Sequence, residues 1–254
     1  MFITVKKKTV ELILVLVLVV IALSGMIGGT IASVAAKERL VPIYSVDTDS
    51  KKIAISFDAA WGADKTKSIV DTLNKYRIKG TFFLVGFWID KYGEEVKYIS
   101  DNGMEIGNHS ANHLKMSTIQ EEVIIKEISS VNEKITAITG KPVKVFRPPF
   151  GDYNDRLIRT VNELGMKTIQ WDVDSLDWKG LSSGEISKRV CSRVKSGSII
   201  LCHNNSDHIV EALPMIILNL KNQGYEFVTM SELVYDDNYI IDNNGVQHLK
   251  KMEE

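Results

Sequence analysis

The sequence is poor in the residues that define several common classes of protein. It has only two cysteines in 254 residues, and its formal net charge is −1 with no long run of one sign. Two cysteines are too few for a disulfide framework, and Cys191 and Cys202 lack the clustered spacing of a zinc–thiolate site, so we expect packed thiols. The absence of a basic excess excludes nucleic acid as an expected partner.

One long apolar run lies near the amino terminus. Residues 10–23 are apolar apart from one glutamate, three lysines precede them, and small residues continue to position 36. Roughly 25 such residues can span a bilayer of about 30 Å. The pattern predicts a signal anchor or transmembrane helix at 1–36, a single-pass cell-membrane location and an extracytoplasmic domain. Cleavage after the small residues, giving an exported protein, is the alternative.

Apolar runs with strand character alternate with amphipathic stretches of helical length in the rest of the chain. We expect strands at 53–57, 81–85, 105–107, 143–146, 168–171, 198–202 and 226–228. We expect helices at 65–77, 88–102, 118–138, 155–164, 183–194 and 209–223. This alternation predicts an α/β fold, a distorted (β/α) barrel of about seven parallel strands.

The expected boundaries place a tether at 37–50, the globular domain at 51–234 and a loosely held, polar carboxyl-terminal tail at 235–254. Polar residues follow five of the expected strands, and the carboxyl ends of parallel strands meet at one edge of a barrel. These are Asp58, the pair His109 and His113, the turn 147–154, the acidic loop 171–178, and His203. Each has a structural explanation alone, but their convergence predicts an active site.

The two histidines of the second segment are four residues apart. That spacing puts both imidazoles on one side of a helical turn, a common arrangement for zinc, although chance also produces it. Sugar stacking is a possible role for Trp61, Trp178 and Tyr153, with core packing as the equal alternative.

Taken in this order, the five segments resemble the motifs of the polysaccharide deacetylases, a NodB-like family also called carbohydrate esterase 4. The resemblance implies a metal-dependent hydrolase that removes N-acetyl groups from a cell-wall polysaccharide such as peptidoglycan. Residues 57–62 look most similar to the PdaB-like branch, which is associated with spore formation. A monomer is expected.

The resemblance also implies roles for single residues. Asp58 matches the general base, Arg147 the arginine that positions it, His203 the general acid and Asp177 the carboxylate that holds that acid. The remaining matches are His109 and His113 as ligands of a divalent metal, expected to be zinc, the Phe150 N–H as oxyanion donor, and Leu201 and Trp178 as walls of the acetyl pocket. Asp174 is expected to play a supporting role.

One position departs from the family pattern. A second aspartate usually follows the base and completes the metal ligands, whereas this chain has Ala59. We therefore expect weak metal binding or a replacement from Asp58, water or another loop. The departure also leaves open a catalytically silent relative that binds glycan or a wall-assembly partner. An esterase that acts on O-acetyl groups is a third interpretation.

Overall fold

The computed structural model describes residues 6–31 and 39–250, and the chain divides between Arg39 and Leu40 into two units. The first unit contains helix α1 (Lys7–Ile31). Among the described residues, no helix has both the length and the apolar character needed to cross a membrane. The predicted transmembrane span is therefore not supported. Positions 1–5 and 32–36 of that predicted segment lie outside the described residues.

The second unit alternates strands and helices along the chain. Its strands are β1 (Ser45–Val46), β2 (Lys52–Ala59), β3 (Thr81–Leu84), β4 (Glu105–Asn108), β5 (Val145–Phe146), β6 (Lys167–Thr168), β7 (Val173–Asp174), β8 (Ile199–His203), β9 (Glu226–Val228), β10 (Tyr239–Ile241) and β11 (Val246–Leu249). Its α-helices are α2 (Thr66–Lys75), α3 (Gly86–Lys91), α4 (Gly93–Asp101), α5 (Glu121–Thr139), α6 (Asp155–Glu163), α7 (Ser183–Cys191), α8 (Ile209–Asn222) and α9 (Met230–Leu233). Short 3₁₀ helices occur at Met116–Thr118, Pro149–Gly151 and Asp177–Lys179.

The main sheet is parallel, and strand β2 lies at its centre. In the described part of the chain, seven strands follow the order β6-β5-β4-β3-β2-β8-β7, and β9 pairs with the start of β2. The expected α/β fold with a parallel sheet is thereby confirmed. The barrel is open, because this order has two ends, β6 and β7. Strand β7 has only two residues, which is too short for a sequence pattern to indicate.

Strand β2 is buried on both faces of the sheet. Ile53, Ile55 and Phe57 are fully buried in the core that the sheet shares with the helices. Ala54 alternates with them and joins a second apolar cluster with Phe83, because successive side chains of a strand point to opposite faces. A strand buried on both faces reads as a nearly continuous apolar run, and residues 53–57 do so apart from the buried Ser56.

The sequence gives no hint of the second sheet, in which β11 lies between β1 and β10. The expectation of a loosely held tail is therefore wrong for residues 235–250, and residues 251–254 lie outside the described part of the chain. Its polar side chains bond within the fold: the buried Gln247 donates through Nε2 to the Tyr235 carbonyl and accepts the Tyr235 N–H, each at 2.9 Å. Strand β1 pairs in parallel with β11, so the chain entering the barrel is joined to its carboxyl-terminal hairpin.

Gly197, in the turn before β8, is a position where we expect a larger residue to lower stability. Gly197 has φ +76°, and a Cβ there would overlap the carbonyl oxygen of Val46. We expect Gly197→Ala to lower the free energy of unfolding by about 1–3 kcal/mol, because alanine tolerates neither the left-handed backbone nor the close approach. Urea unfolding measures the change.

Gly184 provides the matched control, because it lies in helix α7 and a Cβ there meets no atom within 4 Å. We expect Gly184→Ala to leave stability unchanged or raise it by up to about 1 kcal/mol. Equal unfolding midpoints for the two variants would show that the close contact at Gly197 does not matter.

Candidate active site

The carboxyl ends of the parallel strands surround a cleft of about 520 Å³. Asp58 and His203 are directly paired neighbours on β2 and β8. The predicted site residues that line the cleft are Asp58, His109, His113, Phe150, Asp174, Trp178, Leu201 and His203. Arg147 and Asp177 are buried beside it and bond to residues that line it.

Asp58 and Arg147 form an ion pair beside the cleft. The guanidinium donates from Nη1 to Asp58 Oδ1 at 2.7 Å and to Ser56 Oγ at 2.9 Å. Its Nη2 donates to the Gln170 carbonyl at 3.1 Å, and its carbon lies 4.1 Å from the centroid of the Phe83 ring. These contacts fix the direction in which the Asp58 carboxylate points.

The same ion pair sets the charge of Asp58. Burial acts to raise the pKa of this carboxyl, but the Arg147 guanidinium and the neighbouring His109 and His203 outweigh burial and lower the pKa below its usual value. Asp58 is therefore ionised at neutral pH and able to accept a proton.

The two histidines lie on a loop after β4. The spacing of four predicts both imidazoles on one turn of helix, but Ser110 and His113 have left-handed φ angles of 64° and 54°, so residues 109–113 form an irregular loop. Their rings still come together, with centroids 5.0 Å apart. A left-handed non-glycine residue needs outside support.

A buried carboxylate on α5 supplies part of that support. Glu127 accepts the backbone N–H of Asn112 at 2.8 Å and the Asn112 side-chain amide at 2.5 Å. Within the loop, the His113 N–H donates to Ser110 Oγ at 3.0 Å. The sequence does not reveal the role of Glu127. Its neighbours on α5 are apolar at helical spacing, and nothing in that pattern indicates a contact with a loop fifteen residues earlier.

Both imidazoles are neutral at neutral pH. Burial lowers the pKa of His109, and it lowers the pKa of His113 to about 4, with His109 as a further cause for the latter. His109 Nδ1 lies 2.7 Å from the Arg147 carbonyl, so that nitrogen carries the proton. His109 Nε2 is therefore an acceptor, and it faces Asp58 Oδ2 at 3.5 Å.

The pKa of His203 is raised, whereas the pKa values of His109 and His113 are lowered. Its Nδ1 bonds to Asp177 Oδ1 at 2.8 Å, while its backbone N–H donates to Asp177 Oδ2 at 2.8 Å. Burial acts to lower the pKa of His203, yet the hydrogen bond and charge of Asp177 outweigh burial and raise it. The imidazole is thus held in one orientation and stays protonated to higher pH than usual.

The remaining predicted residues form the walls. Leu201 is 3% exposed at the bottom of the cleft, while Phe150 and Trp178 are 64% and 59% exposed at its rim. Phe150 has φ 60° in the short 3₁₀ turn Pro149–Gly151, which begins at the second of the two prolines. Tyr153 is half-buried and packs against the core. Trp171 and Asn205 also line the cleft, although the sequence analysis assigns them no role.

The atoms around His109 suit a cation but do not complete a zinc site. His109 Nε2 and Asp58 Oδ2 are both acceptors, which suits a cation between them. However, within residues 6–31 and 39–250 no three histidine, cysteine or acidic side chains come together to hold an ion. Ala59 is fully buried and contributes only a methyl group to the apolar core. The residues therefore do not fit a three-ligand zinc site.

Known proteins resemble the chain in sequence. The family described as polysaccharide deacetylase matches residues 45–169. A peptidoglycan-N-acetylglucosamine deacetylase of Bacillus cereus is 36% identical over 196 residues, which cover 75% of this chain and 92% of that protein. The uncharacterized protein YlxY of Bacillus subtilis is 34% identical over 193 residues, or 76% of this chain, and the match spans 60% of YlxY.

A solved structure shares the fold. BA3943, a CE4 family pseudoenzyme from Bacillus anthracis, superposes with a TM-score of 0.74 at 31% identity, covering 83% of this chain and 73% of that one. A BA3943 mutant with restored enzymatic activity gives the same TM-score at 35% identity, covering 76% and 71%. With sequence, fold and strand-end residues in agreement, the chain belongs to the polysaccharide deacetylase family.

Proposed function

We propose that the chain is a deacetylase that hydrolyses N-acetyl groups of a cell-wall glycan, with peptidoglycan as its substrate. The observation that carries this proposal is the pair of opposed groups in the cleft. Asp58, ionised and held by Arg147, and His203, held by Asp177 with a raised pKa, are paired neighbours that both line the cleft. The Bacillus cereus relative named as a peptidoglycan deacetylase supports the choice of substrate.

These two groups supply the proton transfers that amide hydrolysis needs. Asp58 accepts a proton from water as the water oxygen attacks the acetyl carbonyl carbon. The N–H of Phe150 donates to the developing oxyanion. His203 then gives its proton to the sugar nitrogen as the carbon–nitrogen bond breaks, and acetate and a free amine are released. Leu201 and Trp178 enclose the acetyl methyl group.

Metal binding by His109 and His113 remains a prediction, and no step above depends on it. Because Ala59 leaves the ligand set incomplete, we expect zinc to bind weakly. We further propose that the domain acts outside the cytoplasm, where peptidoglycan lies. The link to spore formation and the PdaB-like branch remains a prediction.

A catalytically silent glycan-binding protein is the second candidate function. Ala59 favours it, since the described residues lack a three-ligand metal group. The similarity to BA3943, a pseudoenzyme whose mutant has restored activity, favours it as well. The next two experiments separate the candidates.

Acetate release tests the proposed activity directly. The full chain is incubated with N-acetylated peptidoglycan fragments and with chitotetraose, with and without added zinc. We expect release by the native chain and a loss of at least about 100-fold in Asp58→Asn, because the amide cannot accept the proton. Asp101→Asn is the matched control, since Asp101 lies on α4, where it bonds to the exposed Lys97, and does not line the cleft. A folded native chain that releases no acetate under any condition would favour the silent protein.

Ala59→Asp tests whether one ligand is missing. We expect zinc affinity, measured by competition with a chelator, to rise by at least about tenfold when the carboxylate joins the two imidazoles. Ala59→Asn has the same size but a weaker ligand and controls for packing at this buried position. Equal zinc affinities in folded variants would mean that the missing carboxylate does not limit metal binding.

Asp177→Asn tests the charge of His203. The raised pKa predicts that the stabilising contribution of the charged imidazole is complete below pH 6.5 and is lost as pH rises through the folded-state pKa. We expect NMR titration to give a midpoint above 6.5 for His203 in the native chain and a lower one in the variant. His248, which bonds to Asp47, is the internal control in the same spectra. An unchanged His203 midpoint would contradict the role of Asp177.

A further inference from the structure

The carboxylate that holds His203 lies in a loop with little support from the sheet. Asp177 follows strand β7, which has two residues and lies at one end of the strand order in the described part of the sheet. Leu176, the residue before Asp177, has a left-handed φ of 52°. A non-glycine residue in this region persists only where surrounding contacts hold it. The position of Asp177 therefore depends on how the end of β7 is fixed.

Hydrogen bonds connect Asp174, at the end of β7, to Asp177. Asp174 Oδ1 accepts the Leu176 N–H at 2.8 Å, and the Asp177 N–H donates to Ser175 Oγ at 3.3 Å. The Ser175 N–H in turn donates to the Leu201 carbonyl of β8 at 3.1 Å. These bonds fix the turn 174–177 relative to Asp174, so a shift of Asp174 moves Asp177 as well.

Arg189 on helix α7 holds Asp174 from outside the sheet. Its Nε donates to the Asp174 backbone carbonyl at 2.7 Å. Since β7 is the end strand in the described order, no strand on its outer side can donate to this carbonyl. Hydrogen bonds from an ionised donor are roughly twice as strong as neutral ones. The Arg189 guanidinium thus takes the place of a neighbouring strand at the edge of the sheet.

We propose that Arg189 is a positioning residue for the general acid: it fixes the end of β7 and thereby keeps Asp177 aligned with His203. The inference rests on the proposed function for the role of His203. Arg189 itself does not line the cleft, so it acts only through the turn 174–177. Asp177 accepts two hydrogen bonds of 2.8 Å from His203, and such bonds weaken steeply when their angle is disturbed. Loss of the Arg189 contact should therefore loosen the hold on the imidazole.

Two substitutions of similar length separate the hydrogen bond of Arg189 from its charge. Arg189→Gln removes the charge but keeps an N–H donor as many bonds from Cα as the arginine Nε, whereas Arg189→Met removes both. In the full chain, we expect the NMR titration midpoint of His203 to fall in Arg189→Met and to stay near the native value in Arg189→Gln. Loss of the positive charge alone would raise this midpoint in both variants. In the acetate assay, Arg189→Met should lower kcat about threefold to tenfold with KM nearly unchanged.

Arg193→Met is the matched control, since Arg193 bonds at the exposed surface to the Arg189 carbonyl and to Ser192 Oγ. We expect it to keep the native midpoint and the native kcat. If circular dichroism shows that Arg189→Met does not fold, Arg189→Lys replaces it, because lysine keeps the charge but has no donor at the Nε position. The midpoint is expected to fall there too. A native midpoint in the folded variant, or an equal fall in Arg189→Gln, would overturn the inference.

The titration midpoint does not depend on turnover, so failure of the inference and failure of the proposed function are distinguishable. A midpoint that falls in Arg189→Met but not in Arg189→Gln, in a chain that releases no acetate, would support the positioning of His203 and overturn the activity. Acetate release with native midpoints in all variants would overturn the role of Arg189 and leave the activity standing.

Discussion

The structure depends on the buried guanidinium of Arg147. It bonds to Asp58 on the central strand and to the Gln170 carbonyl beyond β6, and it stacks on Phe83 of β3. The backbone carbonyl of Arg147 accepts a hydrogen bond from His109 Nδ1 and so fixes the tautomer of that histidine. Removal of one partner of a buried ion pair typically costs about 3–5 kcal/mol, because the other charge remains without compensation. Through its side chain and its backbone carbonyl, Arg147 thus links the sheet, the base and the tautomer of a histidine.

Two further buried carboxylates, Asp177 and Glu127, support the site. Asp177 orients His203 through two hydrogen bonds, and Glu127 holds the loop of His109 and His113 through two more. None of these supporting carboxylates needs to touch a substrate. The chain therefore keeps the framework of a hydrolytic site intact around the one position, Ala59, where a family ligand is missing.

The sequence predicts the parallel α/β core and the convergence of five segments, because both follow from local periodicity and from the common direction of parallel strands. It does not reveal β7, which has two residues, or the role of Glu127, which acts across fifteen positions. The second sheet also escapes prediction. Its strands β1 and β11 pair residues about two hundred positions apart, and hydrogen bonding satisfies a polar sequence that reads as a tail.

The second sheet limits where the domain can be truncated without loss of strand pairing. A fragment that ends at Val234, after the last family motif, would remove β11, which pairs with β1, and β10, which pairs with β11. The fragment would leave β1 without its paired strand. The preceding segment would still bond to β6, where the Ile43 N–H donates to the Thr168 carbonyl. Exposed edges of this kind promote association between chains. We therefore expect the isolated domain to need the carboxyl-terminal hairpin, although no residue of that hairpin lines the cleft.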